Sequence, residues 1–357
     1  MMIKRPEYIK KGDTIGVTAP SFGPGTEPYS LLYPIAKKNI QERGYRIVEG
    51  ETIFRTDGLG MATDPVFAAK ELTQFYKRDD INAIISAGGG ELMNETITHV
   101  DFDELRSCKP KWFLGYSDNT NFIFPLVTIT GVQGIYGPCI SEFAMDWQST
   151  QFDSFALLEG AKSSFEGYKR FVDPEFDEKS DEEPEYTQEY LTAPYPLNAD
   201  RKLVNFVPDG KELVDAGSRQ IRMEGVLLGG CLDILTNMTG TRFDRVAEFK
   251  KSNPDIIWVL EACDLNPMTI RRSLWNMREA GWFEGAKGFV FGRPHASWKQ
   301  NMMGVDRFNA VTDVIRGFGV PVIMDAEIGH IEPMLPVVMG ADAVIDVKDN
   351  DLTISYV

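Results

Sequence analysis

Short apolar runs alternate with stretches of helical spacing through the first part of the chain. Residues 14–19 read as a strand ending in Pro20-Ser21-Phe22-Gly23, and residues 31–43 carry helical spacing closed by Gly44. A strand over 45–48 and a helix over 65–77 follow. Residues 82–87 form a third strand, stopping at Gly88-Gly89-Gly90, and residues 111–114 a fourth, entering Gly115-Tyr116-Ser117. Strand and helix alternating at this pitch predict an α/β fold with a parallel sheet covered on both faces. Ligands of such sheets collect at the carboxyl ends of the strands, where both the glycine run and Ser117 fall.

The pattern breaks between residues 163 and 202. Residues 173–185 are acidic and proline-bearing, and Pro194-Tyr195-Pro196 cannot continue a helix. The charge run reads as a solvated linker. The aromatics around it (Phe165, Tyr168, Phe171, Phe176, Tyr186, Tyr190, Tyr195) leave a second reading open, a lid or specificity loop over the site. Periodic segments then resume: strands over 221–228, 256–261, 287–292 and 320–324, helices over 267–280 and 303–317, and a hairpin around Asp349-Asn350-Asp351. The chain divides into an N-terminal domain over 1–162, an insertion over 163–204 and a C-terminal domain over 205–357.

Composition narrows the function classes. Of the 357 residues, 43% are hydrophobic and 25% charged, an ordinary globular balance. A formal charge of −16 argues against a nucleic-acid or anionic-membrane partner, both of which need basic patches. No apolar run approaches the roughly 18 residues of a membrane helix. Residues 1–11 carry charges and no apolar core of a signal, which predicts a protein that is not secreted. Cys108, Cys139, Cys231 and Cys263 are scattered without paired spacing and read as thiols of a reducing cytoplasm.

Candidate chemistry begins at Ser117. A lone serine at a sharp turn after a strand presents its hydroxyl beside backbone N–H groups, which suits a nucleophile and its oxyanion hole. Pro125 limits the helix that follows. A serine needs a base, and the chain has three histidines. His99 reads as a surface or packing residue, and His295, in a loop after Gly292-Arg293-Pro294, is a minor candidate. His330, held between Gly329 and the turn at Pro333, suits a base best and is expected to titrate at roughly 6–7. The base needs an acceptor on its other nitrogen. Glu261, ending an apolar strand, is the best-placed carboxylate, with Asp264 the alternative. The run Gly88-Gly89-Gly90 lacks the spaced third glycine of a dinucleotide fingerprint and the Lys-Ser/Thr pair of a P-loop. A second oxyanion donor is its most economical use. No two histidines share a ligand-like spacing, so no metal is expected.

Four blocks in order carry a family resemblance: Gly12-Asp13-Thr14-Ile15-Gly16-Val17-Thr18-Ala19-Pro20-Ser21, the turn at Gly89-Gly90, Gly115-Tyr116-Ser117-Asp118, and Gly329-His330 with Pro333-Met334. Leu228-Gly229-Gly230 and the strand ending at Glu261 support them. The chain resembles the LD-carboxypeptidase family of serine peptidases, which includes the microcin C immunity peptidases. The resemblance implies a flavodoxin-like N-terminal domain joined to a C-terminal domain with its own sheet. It implies a triad of Ser117 as nucleophile, His330 as base and Glu261 as its partner, with Gly90 and Asp118 N–H groups as oxyanion donors. It further implies a cytoplasmic homodimer that uses no cofactor and acts on a small peptide or peptidyl-nucleotide. Gly89 and Cys231 are then expected at the substrate. Two positions depart from the family pattern, Cys231 where asparagine is common and Ala262 where aspartate is. The expected activity is hydrolysis of an amide next to a free carboxylate, in a murein L,D-peptide or an aminoacyl nucleotide of microcin C type. An ester or lactone hydrolase with the same residues, and a non-enzymatic two-domain binding protein, are the alternatives.

Overall fold

The computed structural model describes residues 2–176 and 187–357. The middle of the acidic run, residues 177–186, and with it Tyr186, lies outside the described residues. Five strands of the first sheet come early: β1 Thr14–Thr18, β2 Arg46–Glu49, β3 Ala83–Ser86, β4 Trp112–Gly115 and β5 Gly134–Tyr136. They are parallel in the order β2-β1-β3-β4-β5, the flavodoxin-like arrangement. β1, β3, β4 and β5 are buried at every position, as parallel strands covered on both faces must be. The helix Pro65–Lys77 begins where the Asp64 side chain accepts from the N–H groups of Val66 and Phe67 and a proline occupies its first turn. It buries Ala68, Ala69, Leu72, Phe75 and Tyr76.

The remaining strands are β6 Ser164–Glu166, β7 Arg170–Phe171, β8 Ala199–Asp200, β9 Val204–Asp209, β10 Glu212–Asp215, β11 Ile221–Cys231, β12 Ile256–Glu261, β13 Ala286–Gly292, β14 Val322–Ala326, β15 Val337–Met339, β16 Asp342–Lys348 and β17 Asp351–Tyr356. A nine-stranded mixed sheet takes them in the order β10-β9-β14-β13-β12-β11-β16-β17-β6. β7 and β8 form a small ribbon of their own. The hairpin β16–β17 falls where the alternation around Asp349 puts it.

Two strands depart from a simple division of the chain. β6, inside the insertion, pairs with β17 and so extends the second sheet. β15, from the C-terminal half, adds antiparallel to β5 and closes the edge of the first sheet. The helix expected over 303–317 is also shorter, Asn309–Ile315. Asp306 Oδ1 accepts from the N–H groups of Phe308 and Asn309 at 2.9 and 3.0 Å, holding a turn that competes with an earlier helix start. The α-helical stretch after Ser117 stops at Pro125 and continues as a π turn over Leu126–Thr130.

A buried ionic cluster ties the insertion to the second sheet. Arg201, Arg293 and Glu327 have side chains 2%, 1% and 0% exposed, and Glu327 Oε1 lies 3.3 Å from Arg201 Nε and 3.8 Å from Arg293 Nη1. Arg293 also lies over the Phe171 ring, 4.2 Å from its centroid. Glu327 sits three residues before His330, so the cluster fixes the start of that loop. Glu327→Ala removes the carboxylate paired with buried Arg293 and leaves Arg201 with Asp351 alone, at 3.0 Å, and is expected to cost about 3–5 kcal/mol of folding stability. Urea unfolding checks this; a cost below about 1 kcal/mol contradicts a structural role for the cluster.

Candidate active site

Ser117 lies at the sharp turn between β4 and the helix Thr120–Pro125, with φ of 61°. A serine in this left-handed region is strained by on the order of 1–3 kcal/mol, so the surroundings must hold it there. They do so from both sides of the turn. The neighbouring Asn119 Nδ2 donates to the carbonyls of Gly88 and Tyr116, both at 2.9 Å. Asp118 is fully buried; its carboxylate accepts from the Ser21 hydroxyl, from Met93 N–H at 2.9 Å and from Asn121 Nδ2 at 2.7 Å. Burial lifts the Asp118 carboxyl, and those bonds pull it part of the way back. The side chain is therefore committed to holding the turn, which leaves the backbone N–H as the part of Asp118 that chemistry can use.

The glycine run faces the same turn. A Cβ on Gly89 would lie 3.2 Å from the Ser117 Cβ, and one on Gly90, at φ of 144°, would sit 2.3 Å from Ser21 Oγ. Only glycine lets this loop pass so close to Ser117.

Three polar side chains connect the two sheets behind the serine. Tyr136, the last residue of β5, accepts through its hydroxyl from Ser117 N–H at 3.0 Å and donates to Glu261 Oε1 at 2.5 Å. The other oxygen, Oε2, lies 2.9 Å from His330 Nδ1. Glu261 ends β12 and is 1% exposed. Gly329 makes this approach possible: at φ of 99°, a Cβ there would fall 2.3 Å from Glu261 Oε2. A carboxylate on Nδ1 places the neutral tautomer's proton there and leaves Nε2 as the basic nitrogen. The Tyr116 ring packs against the imidazole at 5.0 Å.

Burial on its own would lower the basicity of His330. The charge of Glu261, with hydrogen bonds that the ring donates to the Cys263 and Glu261 side chains, outweighs it and holds the imidazole well above the usual histidine value. Burial would likewise raise Glu261, but the charge and hydrogen bond of His330 keep it below the ordinary carboxylate value. The expectation of an unshifted histidine therefore moves upward.

Ser117, His330, Gly89, Gly90 and Cys263 all line one cavity of about 290 Å³. Among the described residues no hydrogen bond joins the Ser117 and His330 side chains, a contact that commonly tightens only around substrate. His99 and His295 are exposed and belong elsewhere: His99 borders a separate groove with Arg242, and His295 donates its N–H to Ala262 at 3.0 Å. Asp264 is exposed, and its N–H is held by Asp233 at 2.9 Å.

Cys231, expected at the substrate, is 1% exposed and is not among the residues that line this cavity; its thiol bonds Asp233 Oδ2 at 3.2 Å. That aspartate in turn accepts from Cys263 N–H at 3.0 Å, so Cys231 lies beneath the site. Two participants were missed from sequence, Tyr136 and Cys263. Tyr136 ends a three-residue strand too short to show a pattern, and nothing local marks a thiol as a histidine's neighbour. Among the described residues, no group of three or more histidine, cysteine or acidic side chains is arranged to hold a metal ion. No helix among them is long and apolar enough to cross a membrane.

Comparison with known proteins agrees with this architecture. Residues 15–137 match the LD-carboxypeptidase N-terminal domain and residues 224–345 the LD-carboxypeptidase C-terminal domain. The chain belongs to the LD-carboxypeptidase family and is an enzyme of the peptidase class. It is 26% identical to the probable murein peptide carboxypeptidase of Bacillus subtilis, over 98% of this chain and 94% of that protein. It is 25% identical to the microcin C7 self-immunity protein MccF of Escherichia coli, over 96% of this chain and 93% of that protein. The crystal structure of an MccF-like protein from Bacillus anthracis superposes with a TM-score of 0.76 at 20% identity, covering 99% of this chain and all of that one.

If His330 acts as the base, kcat/KM should fall as pH drops through an apparent pKa above 6.5, because protonation removes the acceptor nitrogen. A pH–rate profile checks this. An inflection at or below 6.5, or a profile flat across that range, contradicts it.

Proposed function

We propose that this chain is a serine peptidase that hydrolyses an amide bond next to a free carboxylate. The observation that carries the reading is the continuous relay from Ser117 N–H through Tyr136 and Glu261 to His330. Ser117 Oγ attacks the scissile carbonyl and gives its proton to His330 Nε2. The oxyanion is received by the N–H groups of Gly90 and Asp118. When the tetrahedral adduct collapses, the C–N bond breaks and His330 returns the proton to the leaving amine. Water then attacks the acyl-enzyme by the same route in reverse, releasing the acid and restoring Ser117. Glu261 stays ionised throughout and stabilises the imidazolium.

The substrate class is a murein L,D-peptide or an aminoacyl nucleotide. Support for the first is the likeness to the murein peptide carboxypeptidase, and for the second the likeness to MccF, whose structures include complexes with glutamyl sulfamoyl guanosine and aspartyl sulfamoyl adenosine. The family resemblance also supports a homodimer that works in the cytoplasm without a cofactor. A monomer in sedimentation velocity counts against that assembly.

Ser117→Ala is expected to lower turnover of the cleaved substrate by about 10⁴-fold or more while leaving the thermal unfolding midpoint close to that of the parent chain. A panel of L,D-peptides, aminoacyl sulfamoyl adenosines and simple esters, with free amino acid or alcohol as the readout, identifies which is cleaved. Parental turnover by Ser117→Ala sinks the proposal. Tight binding without turnover by the parent protein favours the non-enzymatic alternative.

A further inference from the structure

The imidazole has a second neighbour that the relay does not use. Of its two nitrogens, Nδ1 is taken by Glu261 Oε2 at 2.9 Å. The ring's other hydrogen bond goes to the side chain of Cys263, while among the described residues none joins it to the Ser117 side chain. Cys263 stands two residues past the end of β12, half-buried, and lines the same cavity as Ser117 and His330.

The backbone of Cys263 is pinned from both ends. Its N–H donates to Asp233 Oδ2 at 3.0 Å, and its carbonyl accepts from Ala296 N–H at 2.8 Å. Asp233 holds the following N–H as well, that of Asp264, at 2.9 Å. With the peptide fixed, only rotation about the Cα–Cβ bond moves the sulfur, and that rotation has few wells. Burial raises the Cys263 thiol, and the hydrogen bond and charge of His330 offset only part of that rise. The sulfur therefore stays protonated, an acceptor for a ring N–H rather than a nucleophile.

We propose that Cys263 is a positioning residue that holds the resting His330 ring by its Nε2 edge, away from Ser117, so that the base must leave the thiol before it takes the serine's proton. The proposal rests on His330 being the base. A ring held at Nδ1 alone can swing about that one bond, and the thiol supplies the second point. It also biases the resting ring toward its protonated form, because N⁺–H donating to sulfur is charge-assisted and S–H donating to a bare nitrogen is not. Loss of the thiol lowers the pH at which the ring gives up its proton, so kcat/KM rises on the acid side. Other titratable groups stand around the ring: Tyr116 from the turn after β4, Glu91 beyond the glycine run, Tyr29, and Cys139 and Glu142 from the wall after β5. Glu332 is the acid on its own loop. All of them stay in place when Cys263 alone is changed.

Two readouts on Cys263→Ala and Cys263→Ser, in the full chain, test this. Ring-nitrogen NMR of histidine-labelled protein follows the titration of His330, whose signals are those lost in His330→Gln. The acid limb of kcat/KM follows the same group through turnover of whichever panel substrate is cleaved. Cys263→Ala should move both down by at least about half a pH unit, raising kcat/KM at about one pH unit below the parental inflection by about two- to threefold. Cys263→Ser keeps an acceptor in place and should leave both within about 0.2 pH units of the parent. An unmoved ring titration in Cys263→Ala overturns the proposal. Cys263→Ser moving as far as Cys263→Ala also overturns it, because lost volume then explains the effect. A ring titration that moves while the rate profile stays put keeps the thiol contact and refutes His330 as the base, so the two failures are told apart. The NMR readout needs no turnover and decides the contact even if no panel substrate is cleaved.

Discussion

A carboxylate almost wholly removed from water sits where the two sheets meet, and the arrangement around it depends on keeping it charged. Glu261 is 1% exposed, and an ion so placed costs several kcal/mol unless its oxygens are fully engaged. One oxygen takes the Tyr136 hydroxyl from the first sheet and the other takes His330 Nδ1 from the loop after β14. Because Tyr136 also receives Ser117 N–H, the turn that carries the serine is registered against the same carboxylate. Movement of either sheet would leave a buried charge short of a partner. The strand β15, which leaves the second half of the chain to pair with β5, holds that relation mechanically.

This single constraint explains several local features with no role of their own. Gly329 is glycine because a side chain there would occupy the space of Glu261 Oε2. Glu327 and its two arginines anchor the loop that brings His330 up to the carboxylate. Asp233 does similar work on the opposite side, holding the N–H groups of Cys263 and Asp264 while Cys231 bonds to it from below. The departures from the family pattern at Cys231 and Ala262 both fall in buried positions, and they alter the floor of the site rather than its lining.

Much of this was legible in the chain because it is local. The helix Pro65–Lys77 carries its cap and its proline in sequence, and Ile256–Glu261 is an unbroken apolar run that stops at the acid. Ser117 and His330 announced themselves by turns and by scarcity. What stayed hidden depends on contacts between residues far apart. Tyr136 and Glu261 are 125 positions apart, and no period or spacing links them. The strand β6 inside the insertion and the crossing of β15 are three residues each, too short to declare a face. Glu142 carries no signal in the sequence, because its partner Tyr195 lies 53 residues away. Among the insertion's aromatics, Tyr195 reaches the site indirectly, through its bond to Glu142, which lines the cavity.

Catalysis by this site requires Ser117, His330 and the oxyanion donors to converge on one reacting atom. A crystal structure of the protein after reaction with a fluorophosphonate measures that convergence directly. The account predicts a phosphonyl group on Ser117 Oγ, its oxygen within about 3.2 Å of the N–H groups of Gly90 and Asp118, and His330 Nε2 at hydrogen-bond distance from the adduct. An adduct on another residue, or one on Ser117 whose oxygen faces solvent with His330 turned away, would contradict it.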